Sequence, residues 1–443
     1  MAGTVLQRAR VRARELLSPL SVAHYRRLWS ADVISDLGDW AGRLALAVVV
    51  HQRTDSAAWA AAVTAVSLAG FVGIGQVLAT LADRFGRITV MLVADVVRAA
   101  CFLSMLLPLP VGGLLVLAFV AGLATPAFEA ARAAAMPDLV PERLYGAAIA
   151  FSGLCVQVSL VAGYALGGGL LAVVDPEVAL AVNASTFLVS AAILWTLRST
   201  AAAAAPPAPR SVGASLRDGV TTLLEDVALR RSMAVLAVSS LLGIVPEALV
   251  VPYAAAVGFG QADTGLLAAA VPVGTIVATA LVPTGGRPDV LLRGALACAL
   301  VASALAAPLL WFEVGGPAAV ATFAVSGAVF AVAIPTNVVL GTRLERRSRA
   351  SAMGIVLGVV MGLQAVGAAV GGVVASRAGV GPVASVALAL VALWSAVALV
   401  RWRPRGPRPV GAGEDRGDDG GSSRSTEGAG ADPAAEREAP AAR

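Results

Sequence analysis

Long apolar runs recur along most of this chain and leave few folds open to it. Many of them reach the roughly 20 residues that a helix needs to cross a bilayer. Hydrophobic residues make up 58% of the sequence and charged residues 14%, against roughly 25% in soluble domains. We therefore predict an all-α, polytopic membrane protein. The predicted spans are 28–50, 57–81, 89–108, 111–134, 145–173, 177–197, 232–257, 264–284, 289–312, 317–341, 350–376 and 381–402.

These twelve spans form two sets of six. The string from Gly163 to Gly168 in the fifth span resembles that from Gly367 to Gly372 in the eleventh, about 200 residues later, which indicates two pseudo-symmetric six-helix bundles. The tail mixes Gly, Ala, Ser, Pro and acidic residues without apolar periodicity, so we expect it to be disordered. The predicted segments are a basic N-terminus at 1–27, a first bundle at 28–197, a linker at 198–231, a second bundle at 232–402 and the tail at 403–443.

The arginine distribution predicts the orientation. All 33 basic residues are arginine, and the loops predicted to face outward hold only Arg53 and Arg377. Because cytoplasmic loops of membrane proteins are enriched in positive charge, we expect both termini in the cytoplasm and the protein in the cell inner (plasma) membrane. The net charge of +5 is dispersed over these loops, so it does not indicate binding to nucleic acid.

Charged residues inside the first span indicate a hydrated interior. Asp32, Asp36, Asp39 and Arg43 are spaced by four, three and four residues, which places them on one helical face. An ionised side chain at the bilayer centre costs about 2.5–3.5 kcal/mol, so this face should border a water-filled cavity. Asp32 is expected near the cytoplasmic end, where the cost is small. Asp36 or Asp39 could couple transport to protons; alternatively, Asp39 and Arg43 form a static pair and Asp36 caps a local network.

Two other spans carry notable charges. Asp95 and Arg98 are three residues apart in the third span, which predicts an internal ion pair. Glu247 in the seventh span lies between Pro246 and Pro252, and prolines in membrane helices are tolerated where a cavity is lined. Glu247 therefore either faces the cavity, to meet a cationic group or a proton, or lies in water at the outer rim.

A short polar loop separates the second and third spans. Asp83, Arg84, Gly86 and Arg87 match a pattern found between helices 2 and 3 of the major facilitator superfamily of transporters, although Ala79 stands at the usual first glycine. The chain thus resembles that superfamily, which implies two six-helix bundles around a central cavity and a gating role for this loop. The resemblance also implies a latch between Arg87 and an acidic residue of the fourth span, namely Glu129 or, alternatively, Asp138.

Glycines at helical spacing predict close helix packing. They are Gly354, Gly358 and Gly362 in the eleventh span, and Gly163, Gly167 and Gly168 in the fifth. The fifth-span group resembles the Gly-Pro-x-x-Gly-Gly motif of proton-coupled exporters, with Tyr164 at the proline position. Met-Pro-x-Leu-Val-Pro at 136–141 and Asp-Leu-Gly-Asp-Trp at 36–40 resemble the enterobactin-exporter and macrolide-efflux subgroup, which implies export.

Several function classes are disfavoured. Without lysine the chain has no phosphate-binding Gly-x-x-x-x-Gly-Lys loop, and its two histidines fall at membrane edges, so we expect neither an enzyme nor a bound cofactor. Clusters of histidine, cysteine or carboxylate side chains that would indicate a metal site are missing, so we predict no metal site. We predict a monomer whose partners are a small-molecule substrate, protons and the lipid bilayer, and which exports a hydrophobic or amphipathic compound. The alternatives are an uptake symporter or facilitator for a metabolite, and a receptor or scaffold that does not transport.

Overall fold

A computed structural model describes residues 14–72, 85–198, 220–221, 223–282, 288–343 and 349–401, and every regular element among them is a helix. Several predictions made from the sequence fall outside these residues. They concern Asp83 and Arg84, most of the N-terminal segment 1–27, most of the linker 198–231, and the tail 403–443.

Among the described residues, six helices lie in the first part of the chain. They are α1 (Ala23–Thr54), α2 (Ala57–Ala69), α3 (Arg87–Ser104), α4 (Val111–Leu139), α5 (Glu142–Leu171) and α6 (Pro176–Trp195). Eight helices lie in the described residues of the second part. They are α7 (Val227–Ala248), α8 (Val250–Ala256), α9 (Gln261–Leu281), α10 (Pro288–Trp311), α11 (Gly316–Ser326), α12 (Ala333–Arg343), α13 (Arg349–Ala378) and α14 (Val380–Arg401).

The helices follow the predicted spans closely. Within the described residues, nine helical segments are long and apolar enough to cross a membrane. The other three predicted spans correspond to α1, α2 and α3. The aspartate-bearing α1 is longer than predicted and runs from 23 to 54, whereas the second half of the predicted span 57–81 lies mostly outside the described residues.

Two predicted spans are interrupted helices. The seventh divides at Leu249 into α7 and α8, because Pro252 has no N–H to donate to the carbonyl of Ala248. The tenth contains a 3-10 segment, Gly327–Val332, between α11 and α12. There the Thr275 hydroxyl donates a hydrogen bond of 2.8 Å to the Gly327 carbonyl oxygen. Both interruptions lie beside the central cavity described below.

The helices form two groups, and two helix pairs provide most of the contact between them. In the first group, α1 packs on α5 and α6, and α3 packs on α4 and α6. In the second group, α7 packs on α13 and α14, and α10 packs on α14. The pairs α2–α13 and α5–α9 join the groups. The space between the groups is therefore bordered by these four helices.

Glycines set the closest approaches between helices. Gly163 and Gly167 lie against the α1 residues Trp40 and Ala41, and Gly168 lies against Gly265 of α9. A Cβ added to Gly168 would come within 2.4 Å of the Gly265 Cα atom, so neither position has room for a side chain. On α13, which also carries Gly354, a Cβ at Gly358 or Gly362 would instead meet residues 71–72, just beyond the end of α2.

A buried ion pair joins four helices of the first group. As predicted, Asp95 and Arg98 pair within α3, and they are 0% and 2% exposed. Asp95 also accepts hydrogen bonds from Ser190 of α6 at 2.6 Å and from Ser35 of α1 at 3.2 Å. The guanidinium lies 4.7 Å and 4.5 Å from the ring centroids of Phe128 on α4 and Phe187 on α6, a cation–π arrangement.

The α5–α9 contact generates the first prediction. Gly168→Ala should lower the melting temperature of the purified protein, because overpacking costs about 1–3 kcal/mol. Gly169→Ala is the matched control, since an added Cβ there meets no described atom within 4 Å. Thermal unfolding in detergent would distinguish the two. Equal melting temperatures for the two variants would contradict the close approach.

A second prediction concerns the Asp95–Arg98 pair. Arg98→Leu leaves Asp95 buried without its counter-charge, which should destabilise the protein by about 3–5 kcal/mol. The double variant Asp95→Leu with Arg98→Leu should recover much of that loss, because it leaves no uncompensated charge. Thermal unfolding measures both, with the exposed Arg377→Leu as a control. A double variant less stable than Arg98→Leu alone would contradict this account.

Candidate functional site

A cavity of about 530 Å³ lies between the two helix groups. Its wall is mostly apolar and comes from α1, α2, α4 and α5 on one side, and from α7, α8, α9 and α13 on the other. Six charged side chains interrupt this wall. They are Asp36, Asp39, Arg43, Glu129, Arg132 and Glu247.

The α1 stripe borders this cavity. Asp36, Asp39 and Arg43 all line it, as their spacing predicted. The Arg43 guanidinium donates a hydrogen bond of 2.6 Å to the Asp39 carboxylate and lies 4.8 Å from the Trp40 ring centroid. Asp39 and Arg43 thus form the ion pair that was the alternative to a coupling role for Asp39.

Arg132 of α4 organises an acidic cluster at the same wall. It donates a hydrogen bond of 2.7 Å to Asp32 and pairs also with Glu129, one turn earlier on α4. The expectation that Asp32 lies near the water at low cost is wrong: Asp32 is only 3% exposed, and the guanidinium supplies its compensating charge.

Asp36 differs from the other acids of the cluster. One carboxylate oxygen from each of Asp32, Asp36 and Glu129 lies within 4.8 Å of the others, a grouping that could hold a cation. The expectation that carboxylate clusters are missing is therefore wrong, because packing of α4 beside α1 brings Glu129 to two acids that are distant from it in the sequence. Arg132 supplies a positive charge to Asp32 and Glu129, whereas Asp36 makes no ion pair with any described residue. Asp36 therefore lines the cavity beside two other carboxylates. Among the described residues, the Arg132 guanidinium is the positive charge paired with this group of three acids.

Glu247 faces the cavity on the opposite helix group. Its carboxylate accepts a hydrogen bond of 3.1 Å from the Tyr164 hydroxyl of α5. The interpretation that Glu247 lies in water at the outer rim is therefore wrong, because the end of α7 turns it inward against α5. Tyr164 in turn packs on Trp40, with 5.4 Å between their ring centroids.

The polar loop before α3 is described only from Phe85 onward. Gly86 adopts φ +85°, the left-handed backbone conformation expected of a glycine at this turn. Arg87 pairs with Asp138 at the end of α4, not with Glu129, so the first of the two proposed latches is not formed in this structure. The physical reason is that Glu129 lies more than two turns deeper on α4, where it pairs with Arg132.

Two residues of the site were not identified from the sequence. Arg132 forms an ion pair with Asp32, which is 100 residues away in the chain. Tyr164 donates a hydrogen bond to Glu247, which is 83 residues away. A signal for Arg132 existed, because a charged residue three positions from Glu129 inside an apolar span requires a partner. Tyr164 was noted only as a departure from the proline of the exporter motif.

Comparison with known proteins identifies the family. The family model of the Major Facilitator Superfamily matches residues 28–336, which is most of the chain. This chain belongs to the Major Facilitator Superfamily. A relative from Bacillus subtilis (strain 168), described as the uncharacterized MFS-type transporter YfiS, is 30% identical over 171 residues. That match covers 38% of this chain and 41% of the relative. The chain therefore spans about two fifths of the length of the curated relative that it matches.

Solved transporters share the fold at low sequence identity. A POT family transporter in complex with 5-aminolevulinic acid has a TM-score of 0.67 at 11% identity, covering 85% of this chain and 95% of that one. The nucleoside transporter NupG has a TM-score of 0.64 at 16% identity, covering 85% and 98%. A bacterial homologue of the lysosomal transporter Spinster, inward-facing and unoccupied, has a TM-score of 0.63 at 17% identity, covering 86% and 94%. The family match and the long apolar helices indicate a multi-pass membrane protein of the superfamily, whose members are generally not enzymes.

The Arg87–Asp138 pair generates a third prediction. Because the pair joins the start of α3 to the end of α4, Arg87→Asp and Asp138→Arg should each slow transport, by about 2- to 5-fold for a partly exposed ion pair. The double variant, which restores opposite charges, should recover the rate. The measurement is the initial rate of transport of a lipophilic fluorescent dye in energised vesicles. Additive losses in the double variant would show that the pair does not act as a latch.

Proposed function

We propose that this protein is a secondary active transporter that exports a small hydrophobic or amphipathic compound in exchange for protons, by alternating access. In this proposal it resides in the cell inner membrane as a monomer with both termini in the cytoplasm. In this proposal the two helix groups correspond to the two six-helix bundles expected from the sequence, and the cavity between them serves as the cargo site.

The observation that carries the proposal is the position of Asp36. It lines the cavity and makes no ion pair within the described part of the chain, yet it lies beside the carboxylates of Asp32 and Glu129. Three carboxylates that share one guanidinium are poorly compensated in a region of low dielectric. Such a group favours uptake of a proton, and rocking of the helix groups would change its access to water and hence its proton occupancy.

Asp39 is a weaker candidate for the proton site, because Arg43 pairs with it directly. An acid that already has a counter-charge gains little from a proton. We therefore assign proton exchange to Asp36 and a fixed structural role in the cavity wall to the Asp39–Arg43 pair.

The composition of the cavity wall favours lipophilic cargo. Most lining positions are alanine, valine, leucine, isoleucine or aromatic residues, and the uncharged polar groups are scattered. They are Thr64, Ser67, Thr125, Gln157, Thr275 and Gln364. A wall of this kind offers few of the hydrogen bonds that a sugar would require, so a polar metabolite is the less favoured cargo.

The proton gradient can supply the driving force. Moving one proton inward across a potential of 100 mV releases about 2.3 kcal/mol when the cargo is uncharged, and a pH difference adds to this. When one proton is exchanged for one cargo molecule of single positive charge, the two charge movements cancel and the pH difference supplies the driving force. A proton bound at Asp36 and a cargo molecule bound in the same cavity would favour different arrangements of the two helix groups. Proton movement and cargo movement would therefore be coupled.

A fourth prediction tests this assignment. Asp36→Asn should abolish the pH-driven component of dye export while the protein remains inserted and folded, because an asparagine side chain does not exchange a proton in this pH range. The measurement is dye accumulation in inside-out vesicles with an acidic lumen, which corresponds to the cell exterior, with and without a protonophore. Asp263→Asn, at an exposed position in the first turn of α9, is the matched control.

Two outcomes would contradict the proposal. One is pH-driven export by Asp36→Asn at the wild-type rate. The other is accumulation of dye in the opposite direction by the wild-type protein under the same gradient, which would favour the alternative of an uptake symporter.

A further inference from the structure

We propose that Glu247, Tyr164 and Trp40 form a binding site for a positively charged group, so that the cargo is an amphipathic organic cation such as a lipophilic amine or quaternary ammonium compound. We call these three residues the α7 corner of the cavity. The inference rests on the proposed transport function and adds to it the chemical class of the cargo.

The charges on the cavity wall carry the first step. Four carboxylates and two guanidinium groups line the cavity, so two negative charges are left uncompensated when all the acids are ionised. They belong to Asp36 and Glu247, because neither forms an ion pair with a described residue. A cavity with this charge attracts cations and disfavours anionic cargo.

The two uncompensated acids have different surroundings. Asp36 lies beside Asp32 and Glu129, and repulsion within such a group is relieved by a small ion that fits among its oxygen atoms, such as a proton. Glu247 belongs to no such group among the described residues. Its hydrogen bond is donated by Tyr164, which leaves the charge of the carboxylate in place. Glu247 is thus suited to a bulky cation held at the open wall.

Aromatic rings complete the α7 corner. Trp40 and Tyr164 lie 5.4 Å apart between ring centroids and are inclined at 60° to each other. The Arg43 guanidinium, 4.8 Å from the Trp40 centroid, shows that this ring already holds a cation against its face. Aromatic faces beside a carboxylate are the recurring means of binding quaternary ammonium groups in proteins.

The neighbouring wall suits the apolar part of such a cargo. Ile244, Val251, Val271 and Phe330 line the cavity on the same helix group as Glu247. Burial of the apolar part of the cargo against these side chains supplies affinity, whereas Glu247 supplies selectivity for charge.

Tyr164 is held firmly in place and acts as a positioning residue for Glu247. Gly163 lies against Trp40 and Leu37 of α1, and Gly168 lies against Gly265 of α9, so α5 has little freedom to move at this level. The hydroxyl group therefore fixes the Glu247 carboxylate in one orientation across the cavity. A proline at position 164 would offer no such donor.

Equilibrium binding tests the proposal independently of transport. The probes are tetraphenylphosphonium and benzyldimethyldodecylammonium, with tetraphenylborate as the anion of matched size, on purified full-length protein in nanodiscs at constant pH. Glu247→Gln should weaken binding of both cations by about 10-fold or more, because the opposite charge is lost from a partly desolvated site. Glu247→Asp should retain part of the affinity, and Tyr164→Phe should give an intermediate loss. The control Asp263→Asn should bind as the wild type does.

Three outcomes would overturn the assignment. They are wild-type affinity in a folded Glu247→Gln protein, binding of tetraphenylborate as tight as that of tetraphenylphosphonium, and wild-type protein that binds neither cation. Asp36→Asn separates this inference from the proposed function, because it should still bind the cations while it fails to couple their export to protons. Wild-type protein that binds the cations in a Glu247-dependent manner but shows no proton-driven export would reject the coupling alone.

Discussion

The structure depends on how arginines inside apolar helices are compensated. An ionised group removed from water is costly unless an opposite charge and hydrogen bonds accompany it. Arg98 forms an ion pair with Asp95 and lies against two phenylalanine rings. Arg132 forms ion pairs with two carboxylates. Arg43 forms an ion pair with Asp39 and lies against the Trp40 ring. All three arginines lie on the first helix group. The Arg132–Asp32 pair joins α4 to α1. The Asp95–Arg98 pair lies within α3 and is contacted by side chains of α1, α4 and α6. Charge compensation thus helps to fix the first group as a rigid unit.

The acids left without an arginine mark where the protein meets its ligands. Asp36 and Glu247 border the same cavity from opposite helix groups, and each has a different neighbourhood. Asp36 lies within an acidic cluster, whereas Glu247 lies at an aromatic corner. In the functions that we propose, these are two chemically distinct cation sites in one cavity. A proton and a cargo would then act on the same pair of helix groups without competing for the same carboxylate.

Much of the fold could be predicted because each span is a local property of the sequence. Hydropathy located the helices, and the spacing of three between Asp95 and Arg98 identified their pair. The contacts that were missed are long-range: nothing near Asp32 in the sequence indicates that Arg132, 100 residues later, compensates it. Whether Arg87 reaches Glu129 or Asp138 depends on the rotation and depth of α4, which local periodicity does not determine. The inward orientation of Glu247 likewise depends on how α7 packs beside α5.

The contact between Gly168 and Gly265 has a mechanical consequence. Two backbones that touch without side chains have no rotamers with which to accommodate a partial separation. Van der Waals attraction over such a short range falls off within about an ångström, so the contact is either complete or lost. The contact between α5 and α9 should therefore be either closed or open, with few intermediate separations through which ions could leak during a transport cycle.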